Sequence, residues 1–389
     1  MSLSDDIRSR GRQIGFDLVG ICPAVTPTGA THLRRWLERG FAGEMTYMER
    51  QAAARSHPRH VLDGVRSVVM LAIAYRTTEP CEPGPLQGRI SRYAWGRDYH
   101  DLIRERLRQL ADFVHERAGP CRTRGVVDTA PLSEREFAQL AGLGWIGKNT
   151  MLLNKRLGSW FFLAALLTDR ELDYDEPHAA DHCGTCTRCL EACPTDAFAG
   201  PYQLDSRKCI SYLTIELRTA IPESLREGIG PWVFGCDVCQ EVCPWNRKAP
   251  QTPEPELRPE ADADPVDLID LLSLDAATFR RRFAHSALSR PRRAGLLRNA
   301  AIALGNRRHP DAVPALSRAL DDPEPLIRGA AAWALGRIAL PEAREALARR
   351  REVEPDDEVR AELMAALAEG GKTSYSAASN APRSGARPT

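Results

Sequence analysis

The stretch Cys183-Gly-Thr-Cys-Thr-Arg-Cys-Leu-Glu-Ala-Cys-Pro194 places four cysteines in the spacing C-x2-C-x2-C-x3-C-P. A second run, Cys236-Asp-Val-Cys-Gln-Glu-Val-Cys-Pro244, repeats the end of that pattern but has Val233 where its first cysteine would stand. This spacing is typical of bacterial ferredoxins, in which the fourth cysteine of one run binds the other cluster. The two runs therefore predict a ferredoxin-like domain that holds two [4Fe–4S] clusters.

The cysteine count closes when Cys209, which lies between the two runs, supplies the missing ligand. Each cluster then has four thiolates. We assign one cluster to Cys183, Cys186, Cys189 and Cys243, and the other to Cys193, Cys209, Cys236 and Cys239. The remaining cysteines are isolated in the sequence and are predicted to bind no metal: Cys22, Cys81 and Cys121. Two adjacent clusters indicate an electron relay, which a purely structural site would not need.

Zinc binding and disulfide bonding are the alternative uses of these cysteines. Zinc sites commonly use widely separated cysteine pairs, whereas three cysteines at i, i+3 and i+6 before Cys-Pro suit an iron–sulfur cluster better. Disulfides belong to secreted proteins, and residues 1–20 contain no apolar signal segment. No apolar stretch is long enough to span a membrane. We therefore expect a cytoplasmic protein.

Charge is distributed unevenly along the 389 residues, although the formal net charge is only +1. The segment from Glu254 to Asp275 is acidic and rich in proline, and the segment from Phe279 to Arg308 has no Asp or Glu. The latter contains nine arginines, at positions 280, 281, 282, 290, 292, 293, 298, 307 and 308. Such a basic run predicts contact with nucleic-acid phosphates, and the alternative is a solvated helix face balanced by neighbouring acids.

Residues 1–172 are predicted to form an α/β domain. The apolar run Ser67–Tyr75 predicts a buried strand, and Ser159–Thr168 is either a strand or a helix. Tyr99–Arg117 has helical spacing of its apolar residues, and Gly125–Asp128 is predicted to end a short strand.

Further along the chain, Ser133 and Glu136 match a capping box that would open a helix. Residues 173–250 form the predicted cluster domain, and residues 251–290 are predicted to be a linker that passes from acidic to basic.

An internal repeat occupies residues 291–369. Leu304, Leu335 and Leu367 recur at spacings of 31 and 32 residues, within the similar segments RNAAIALG, RGAAAWALG and RAELMAAL. Alanine-rich helices that recur at this period resemble HEAT-like repeats, which stack to bury a shared apolar face. The low-complexity tail 370–389 is predicted to be disordered.

Several stretches outside the cysteine runs resemble epoxyqueuosine reductases. These stretches are Tyr93–His100 (YAWGRDYH), Val127–Arg135 (VDTAPLSER), Ala141–Asn149 (AGLGWIGKN), Cys209–Thr214 (CISYLT) and Arg328–Ala334 (RGAAAWA). The resemblance covers about residues 5–368 in order. The cysteine motif alone is shared with many ferredoxins, but its combination with these stretches is specific to this family.

The resemblance implies an activity and its cofactors. Members of the family bind cobalamin base-off on the N-terminal domain and reduce the epoxide of epoxyqueuosine at the tRNA wobble position, which is the last step of queuosine biosynthesis. The stretch Asp98-Tyr-His100 lacks the glycine of the D-x-H-x-x-G cobalamin motif, as the family does. The expected partners are tRNA carrying epoxyqueuosine and an external electron donor, and we expect a monomer that binds no membrane.

The resemblance also implies site residues. Asp128 is the expected acid, with a pKa raised by burial beside the corrin; the alternative is an Asp that merely hydrogen-bonds its turn. The expected cofactor contacts are Arg55, Ser91, Asp128, Gly147, Leu152, Ser211 and Asp237. The expected tRNA contacts are Thr214 and Arg218, together with Arg290, Arg292, Arg293 and Arg298 from the basic run.

Two other functions compete with this interpretation. A reductive dehalogenase-like cobalamin enzyme acting on a small molecule would not need the basic repeat region. A ferredoxin-type electron-transfer protein would not need the first 172 residues with the Val127–Thr129 motif.

Overall fold

The computed structural model describes residues 2–260 and 263–369, so the predicted disordered tail lies outside the described residues. The N-terminal region contains the following elements in chain order: α1 (Leu3–Gln13), β1 (Leu18–Pro23), α2 (Ala30–Glu38), α3 (Thr46–Arg50), β2 (Ser67–Ala74), β3 (Gln87–Ile90), α4 (Tyr99–Ala118), β4 (Thr123–Val126), α5 (Glu134–Leu140), β5 (Trp145–Ile146), β6 (Leu152–Leu153) and β7 (Phe161–Thr168).

The N-terminal sheet has the strand order β1-β2-β7-β4, and all its neighbouring strands are antiparallel. Successive side chains of a strand point to opposite faces. Val69 and Leu71 of β2 therefore pack towards α1 and α4, whereas Val68 and Met70 pack towards α5. Both faces are covered, which explains why β2 is a continuous apolar run that is buried along its whole length.

One open alternative in this region is resolved and one prediction is corrected. The run Ser159–Thr168, predicted to be either a strand or a helix, forms strand β7 from Phe161 onwards. The capping box predicted at Ser133 is wrong, because the Ser133 side chain makes no capping hydrogen bond. The Glu136 carboxylate instead accepts hydrogen bonds from Thr28 Oγ1 (2.9 Å) and from the backbone N–H of Gly29 (2.7 Å). Glu136 thus anchors the segment that enters α2.

The cysteine-rich region is built from short elements. They are α6 (Arg188–Glu191), β8 (Phe198–Gly200), β9 (Gln203–Leu204), α7 (Ile210–Ile215), α8 (Glu223–Ile229), β10 (Trp232–Phe234) and α9 (Val238–Glu241). Helices α6 and α9, which lie within the two cysteine runs, pack against each other. The prolines that follow the runs, Pro194 and Pro244, end the local helical segments.

The C-terminal region consists mainly of helices. Its elements are β11 (Val266–Asp267), α10 (Leu268–Leu272), α11 (Ala276–Arg282), α12 (Arg292–Arg307), α13 (Val313–Ala319), α14 (Pro325–Ile338), α15 (Pro341–Arg351) and α16 (Asp357–Glu369). Helices α12, α14 and α16 contain the three predicted repeats and pack side by side. A Cβ on Gly305 would lie 2.9 Å from Ala334 Cα, and one on Gly336 would lie 2.8 Å from Ala366 Cα. The repeated glycine therefore permits the close helix packing that the repeat predicted.

The segment 251–290 is predicted to be a linker, but from Val266 onwards it is folded into the protein core. Its strand β11 pairs with β3, which also pairs with β10, so this small sheet joins all three regions. Leu268 and Phe279 are buried in one hydrophobic core with Trp95, Leu213 and Leu296. The linker prediction is wrong because acidic residues and prolines are interspersed with the apolar residues that enter the core, so the segment resembled a solvent-exposed connection. No helix in the described part of the chain has the length and apolarity needed to cross a bilayer.

Candidate active site

The first predicted set of cluster ligands comes together in space. Burial is the largest cause that raises the pKa of Cys189, and the nearby thiolates of Cys243, Cys183 and Cys186 raise it further. Lys148 Nζ donates to the carbonyl oxygens of Gly184 (2.6 Å) and Cys186 (3.0 Å) and so holds the loop of the first run. The long-range pairing of Cys243 with the first run is the pattern that two-cluster ferredoxins use.

The second predicted set lies beside the first. Burial raises the pKa of Cys236 well above its usual range, and Cys239 and Cys209 add to the rise. Cys193 acts in the same way on Cys209. Among the described residues, no three His, Cys, Asp or Glu side chains gather where they could hold a single metal ion. The mutual effects of these cysteines on their pKa values place Cys193, Cys209, Cys236 and Cys239 near one another.

Two adjoining cavities lie next to the second set of cysteines. The first, of about 440 Å³, is lined by Cys193, Cys209, Cys236 and Cys239 and by aromatic and apolar side chains; we call it the cavity floor. The second, of about 1050 Å³, is lined by charged residues that include Arg55, His100 and Arg290; we call it the cavity mouth. Asp128, Glu134 and Ser211 line both cavities, so these residues stand where the floor meets the mouth.

An aromatic stack forms one wall of this site. The Tyr99 ring lies parallel to that of Phe162, with 4.0 Å between ring centroids and an interplanar angle of 7°. The other face of Tyr99 packs on His100, at 4.1 Å. Because His100 is fixed against this stack, its ring can turn little, and its two nitrogens face two different carboxylates.

Those carboxylates belong to Asp98 and Asp128. Asp98 is the N-cap of α4, and its Oδ1 lies 2.7 Å from His100 Nδ1. On the opposite edge of the ring, His100 Nε2 lies 3.5 Å from Asp128 Oδ2. Burial alone lowers the pKa of His100, but the contacts with Asp128 and Asp98 outweigh it and raise the pKa to about 9. His100 therefore carries a proton at neutral pH.

Asp128 lies two residues beyond the end of β4 in a left-handed backbone conformation, with φ of 55°. That conformation costs a residue with a Cβ about 1–2 kcal/mol. The backbone N–H of Asp128 donates to Glu134 Oε1 (2.8 Å), which holds the turn in place. The side chain is 65% exposed, because it faces the open cavities.

The expected rise in the pKa of Asp128 depends on a corrin beside it and stays a prediction. In the protein alone, the contact with His100 is the largest cause that holds the pKa of Asp128 below its usual value. The raised pKa belongs instead to Glu134, in which burial and then the Asp128 charge raise it to about 7. Sequence reasoning missed the roles of Asp98, His100 and Glu134, although all three lie in stretches that resemble the family.

Most of the predicted cofactor contacts line the cavities. Ser91 and Leu152 line the floor, Arg55 lines the mouth, and Asp128 and Ser211 line both. Gly147 and Asp237 line neither cavity. A Cβ on Gly147 would lie 3.6 Å from Cys183 Sγ. Asp237 is buried and accepts hydrogen bonds from Ser91 Oγ (2.5 Å) and from the backbone N–H of Arg92 (2.8 Å).

The structure corrects three of the predicted tRNA contacts. Thr214 and Arg298 are both 0% exposed, so neither can reach an RNA phosphate. Arg293 pairs with Asp322 and donates to the Leu274 carbonyl, contacts that tie the repeat region together. A count of charges along the sequence cannot distinguish Arg293 and Arg298 from exposed arginines.

The other predicted tRNA contacts lie at the surface. Arg218, Arg290 and Arg292 are exposed. Arg290 lines the cavity mouth and pairs with Glu216 at 3.0 Å. The exposed part of the basic run therefore meets the mouth of the candidate active site.

Comparison with known proteins agrees with this arrangement. Residues 182–246 match the family of 4Fe-4S double cluster binding domains, residues 55–129 match the family described as epoxyqueuosine reductase QueG, DUF1730, and residues 282–368 match HEAT repeats. The multidomain layout predicted from the sequence is thereby confirmed. The fold and the site define an iron–sulfur oxidoreductase in which a cavity separates the cluster cysteines from a charged opening.

The chain belongs to the epoxyqueuosine reductase family. It is 44% identical over 342 residues to the epoxyqueuosine reductase of Pseudomonas aeruginosa, a match covering 86% of this chain and 94% of the relative. The Salmonella typhimurium enzyme is 39% identical over 337 residues, covering 86% and 88% of the two chains. A solved structure of epoxyqueuosine reductase with a tRNA-Tyr epoxyqueuosine-modified stem loop is similar, with a TM-score of 0.89, 34% identity and coverage of 95% and 99%.

Proposed function

We propose that this protein reduces the epoxide of epoxyqueuosine at the wobble position of tRNA to the alkene of queuosine, the last step of queuosine biosynthesis. The observation that carries the proposal is the cavity in which cluster cysteines form one side and the Asp98–His100–Asp128 chain the other, in a member of this family. The epoxide takes up two electrons and two protons, both of its C–O bonds break, and its oxygen leaves as water.

The electrons are proposed to enter through two [4Fe–4S] clusters held by the two groups of cysteines. An external one-electron donor supplies them, and the monomeric chain works in the cytoplasm, where its tRNA substrate is found. The second cluster lies next to the cavity floor, because its four cysteines line that cavity. The short distance from these thiolates to the floor favours delivery of electrons to whatever is bound there.

The cavities suit cobalamin, which the family resemblance implies. Aromatic rings and apolar side chains provide a surface for a large flat macrocycle, and Ser91, Leu152 and Ser211 would hold it from the sides. Arg55 Nε is buried without a hydrogen-bond partner among the described residues, and the Arg55 side chain lines the mouth. When bound, cobalamin supplies a cobalt centre that accepts electrons singly and passes a pair to the substrate.

Protons are proposed to come from the cavity mouth. His100 holds a proton at neutral pH, and its Nε2 faces Asp128 Oδ2 at 3.5 Å. Asp128 is the residue that reaches the substrate oxygen, because its side chain extends into the open cavity. The Asp128 carboxylate is ionised at rest, so the proton that it passes to that oxygen comes from His100 and moves through Asp128 as a C–O bond of the epoxide breaks. His100 then takes up a proton from solvent, and the second proton, which completes the water molecule, follows the same route. A positioned acid of this kind typically contributes about 10²–10⁴-fold to a rate.

The tRNA is proposed to dock on the exposed arginines around the mouth, chiefly Arg218, Arg290 and Arg292. Guanidinium groups suit phosphate oxygens because they donate two parallel hydrogen bonds. The wobble nucleotide must leave the stack to enter the cavity, as enzymes that modify a base require. Arg290 is already oriented by Glu216, so it is positioned to contact the backbone next to the extruded nucleotide.

The test is a single-turnover reaction of the anaerobically reconstituted protein, reduced with a chemical one-electron donor such as dithionite, with tRNA that contains epoxyqueuosine. Digestion of the tRNA and mass spectrometry of its nucleosides should show the loss of one oxygen and the formation of queuosine. Protein reconstituted without cobalamin is the control and should form none. Unchanged epoxyqueuosine with protein that contains both clusters and cobalamin would rule out the proposed reaction.

A further inference from the structure

Arg298 is the least exposed charged residue of the repeat region, at 0%. All five of its N–H groups donate to neutral oxygens. Nη1 donates to the carbonyls of Leu217 (3.1 Å) and Thr219 (2.6 Å), and Nη2 donates to that of Leu213 (2.6 Å). The two remaining donors bind Asn299 Oδ1, at 3.0 Å from Nε and 2.9 Å from Nη2. The guanidinium thus satisfies every hydrogen bond but pairs with no carboxylate.

The Leu213 carbonyl belongs to α7, the helix that starts directly after Cys209, and the carbonyls of Leu217 and Thr219 belong to the segment that follows it. The N–H of Leu213 donates to the carbonyl of Cys209 at 2.9 Å, so one helical turn separates the Arg298 contact from the cysteine. A helix turn rises about 5.4 Å. Arg298 therefore holds α7 from one end while the proposed ligand of the second cluster occupies the other.

Asn299 extends this contact to the segment that carries Cys236. Its Nδ2 donates to the carbonyl of Thr214, in α7, and to that of Val233, in β10, both at 2.8 Å. Thr214 Oγ1 in turn accepts from the backbone N–H of Gly235 at 2.9 Å, the residue before Cys236. The pair Arg298–Asn299 on α12 therefore fixes two of the three chain segments that bring ligands to the second cluster, those of Cys209 and of Cys236.

The charges around Arg298 do not neutralise it. Burial is the largest cause that lowers its pKa to about 9, Arg218 and Arg226 act in the same direction, and the Glu44 carboxylate and Tyr212 oppose them. Glu44 is committed elsewhere, since it accepts from the backbone N–H of Arg218 (2.7 Å) and from Thr219 Oγ1 (2.7 Å). A buried charge without a counter-charge is costly. The five hydrogen bonds of Arg298 go to neutral oxygens, so negative charge nearby would stabilise its guanidinium further.

We propose that Arg298 is a positioning residue whose buried positive charge balances the second iron–sulfur cluster and favours its reduced form. The inference rests on the proposed assignment of Cys193, Cys209, Cys236 and Cys239 to that cluster. Four thiolates give the site a net negative charge, which grows by one unit when the cluster accepts an electron. A fixed cation that binds the carbonyl of Leu213, the residue one helical turn beyond Cys209, stabilises the more negative state, because low-dielectric surroundings screen little. Nearby charge is among the factors that set cluster potentials.

The experiment is a redox titration of the reconstituted full chain, monitored by electron paramagnetic resonance, with iron content measured on the same samples. Arg298→Met removes the charge and the hydrogen bonds. Arg298→Lys keeps the charge but loses the forked bonding, and Asn299→Ala is the matched control that weakens the same contacts without changing the charge. In Arg298→Met the equilibrium of one cluster should shift towards oxidation by about tenfold or more, which is about 59 mV for a one-electron couple. Arg298→Lys and Asn299→Ala should shift it much less.

Each outcome decides the proposal. An unchanged potential in Arg298→Met with about eight irons per chain would overturn it while leaving the proposed reaction intact. Equal shifts in the methionine, lysine and alanine variants would assign the effect to geometry and would also overturn it. If Arg298→Met fails to fold, Arg298→Gln provides the neutral variant. If neither neutral variant assembles the second cluster but Arg298→Lys does, the requirement for charge is supported; failure of all three would reduce Arg298 to a structural residue.

Discussion

The cavity floor and the cavity mouth are built in opposite ways. The cysteines of the floor come from one stretch of the chain, residues 193–239, and their neighbours are aromatic and apolar. The charged groups of the mouth come from distant segments, with Arg55, His100 and Arg290 on three separate parts of the fold. Asp128 and Glu134 lie where the two meet.

Because of this difference, we expect the floor to supply electrons to the substrate and the mouth to supply protons. An apolar floor next to thiolates suits the transfer of electrons, whereas a mouth with a protonated histidine and exposed arginines suits the delivery of protons and the binding of RNA. Reduction of an epoxide needs both, and the two supplies meet at Asp128. Changes on one side should therefore leave the function of the other side intact.

The largest effect is expected from Cys209→Ser on the floor. The variant should lose one of the two clusters, so that iron falls from about eight to about four atoms per chain, and turnover should fall below detection because the relay is broken. Iron analysis and single-turnover assays check this. tRNA affinity should not change, since the exposed arginines around the mouth are untouched. Full iron content in the variant would contradict the assignment of Cys209 as a ligand.

Asp128→Asn tests the mouth in the complementary way. We expect turnover to fall by at least about 10²-fold, with iron content, cobalamin binding and tRNA affinity unchanged, because only the acid is removed. Asp112→Asn, on the exposed side of α4, is the matched control and should behave like the unmodified protein. Near-normal single-turnover reduction by Asp128→Asn would exclude its role as the acid, and loss of cobalamin would make it a cofactor contact instead.

The pH dependence should report His100. Its pKa in the folded protein is raised to about 9, above the unperturbed value of about 6.5. The stability that it contributes is therefore complete below pH about 6.5 and is lost as pH rises through about 9. Single-turnover rates should follow the protonated form, hold level to about pH 8 and then fall.

His100→Gln should remove that fall and slow the reaction by about tenfold, which is the loss expected for one hydrogen bond to a charged group. Rates from pH 6 to pH 10 provide the measurement. A fall centred near pH 7 in the unmodified protein would instead point to Glu134, whose pKa is raised to about 7.

The smallest effect is expected from single arginines of the basic run. Arg292→Gln should reduce the slope of log K for tRNA against log salt by about 0.7–0.9, the contribution of one phosphate contact. Arg293→Gln should leave the slope unchanged and lower thermal stability, because Arg293 pairs with Asp322. Binding measured at several salt concentrations distinguishes the two. Equal slopes for both variants would show that exposure does not determine which arginines meet the RNA.

Sequence reasoning succeeded where the relevant signal is local. The cysteine spacing predicted the grouping of residues that the fold brings together, since ligands three residues apart are fixed by backbone geometry. The spacing of Leu304, Leu335 and Leu367 predicted the packed repeat helices, because each repeat buries its apolar face against its neighbours.

Sequence reasoning failed for features that depend on contacts between distant parts of the chain. Arg298 and Arg292 are alike in a charge count, but the carbonyls of α7 bury one of them. His100 and Asp128 lie in different elements, so their contact, which lowers the pKa of Asp128, is created only by the fold. The acidic residues around Leu268 and Phe279 suggested a linker, although those two side chains belong to the core.

The most direct test of the central proposal is made in cells. A bacterial strain that lacks its own epoxyqueuosine reductase should accumulate epoxyqueuosine in its tRNA, and mass spectrometry of tRNA nucleosides measures this. Expression of the unmodified chain should replace epoxyqueuosine with queuosine, whereas Asp128→Asn and Cys209→Ser, expressed at the same level, should leave epoxyqueuosine in place. Persistent epoxyqueuosine with the unmodified chain, or its conversion to queuosine by both variants, would contradict the proposal.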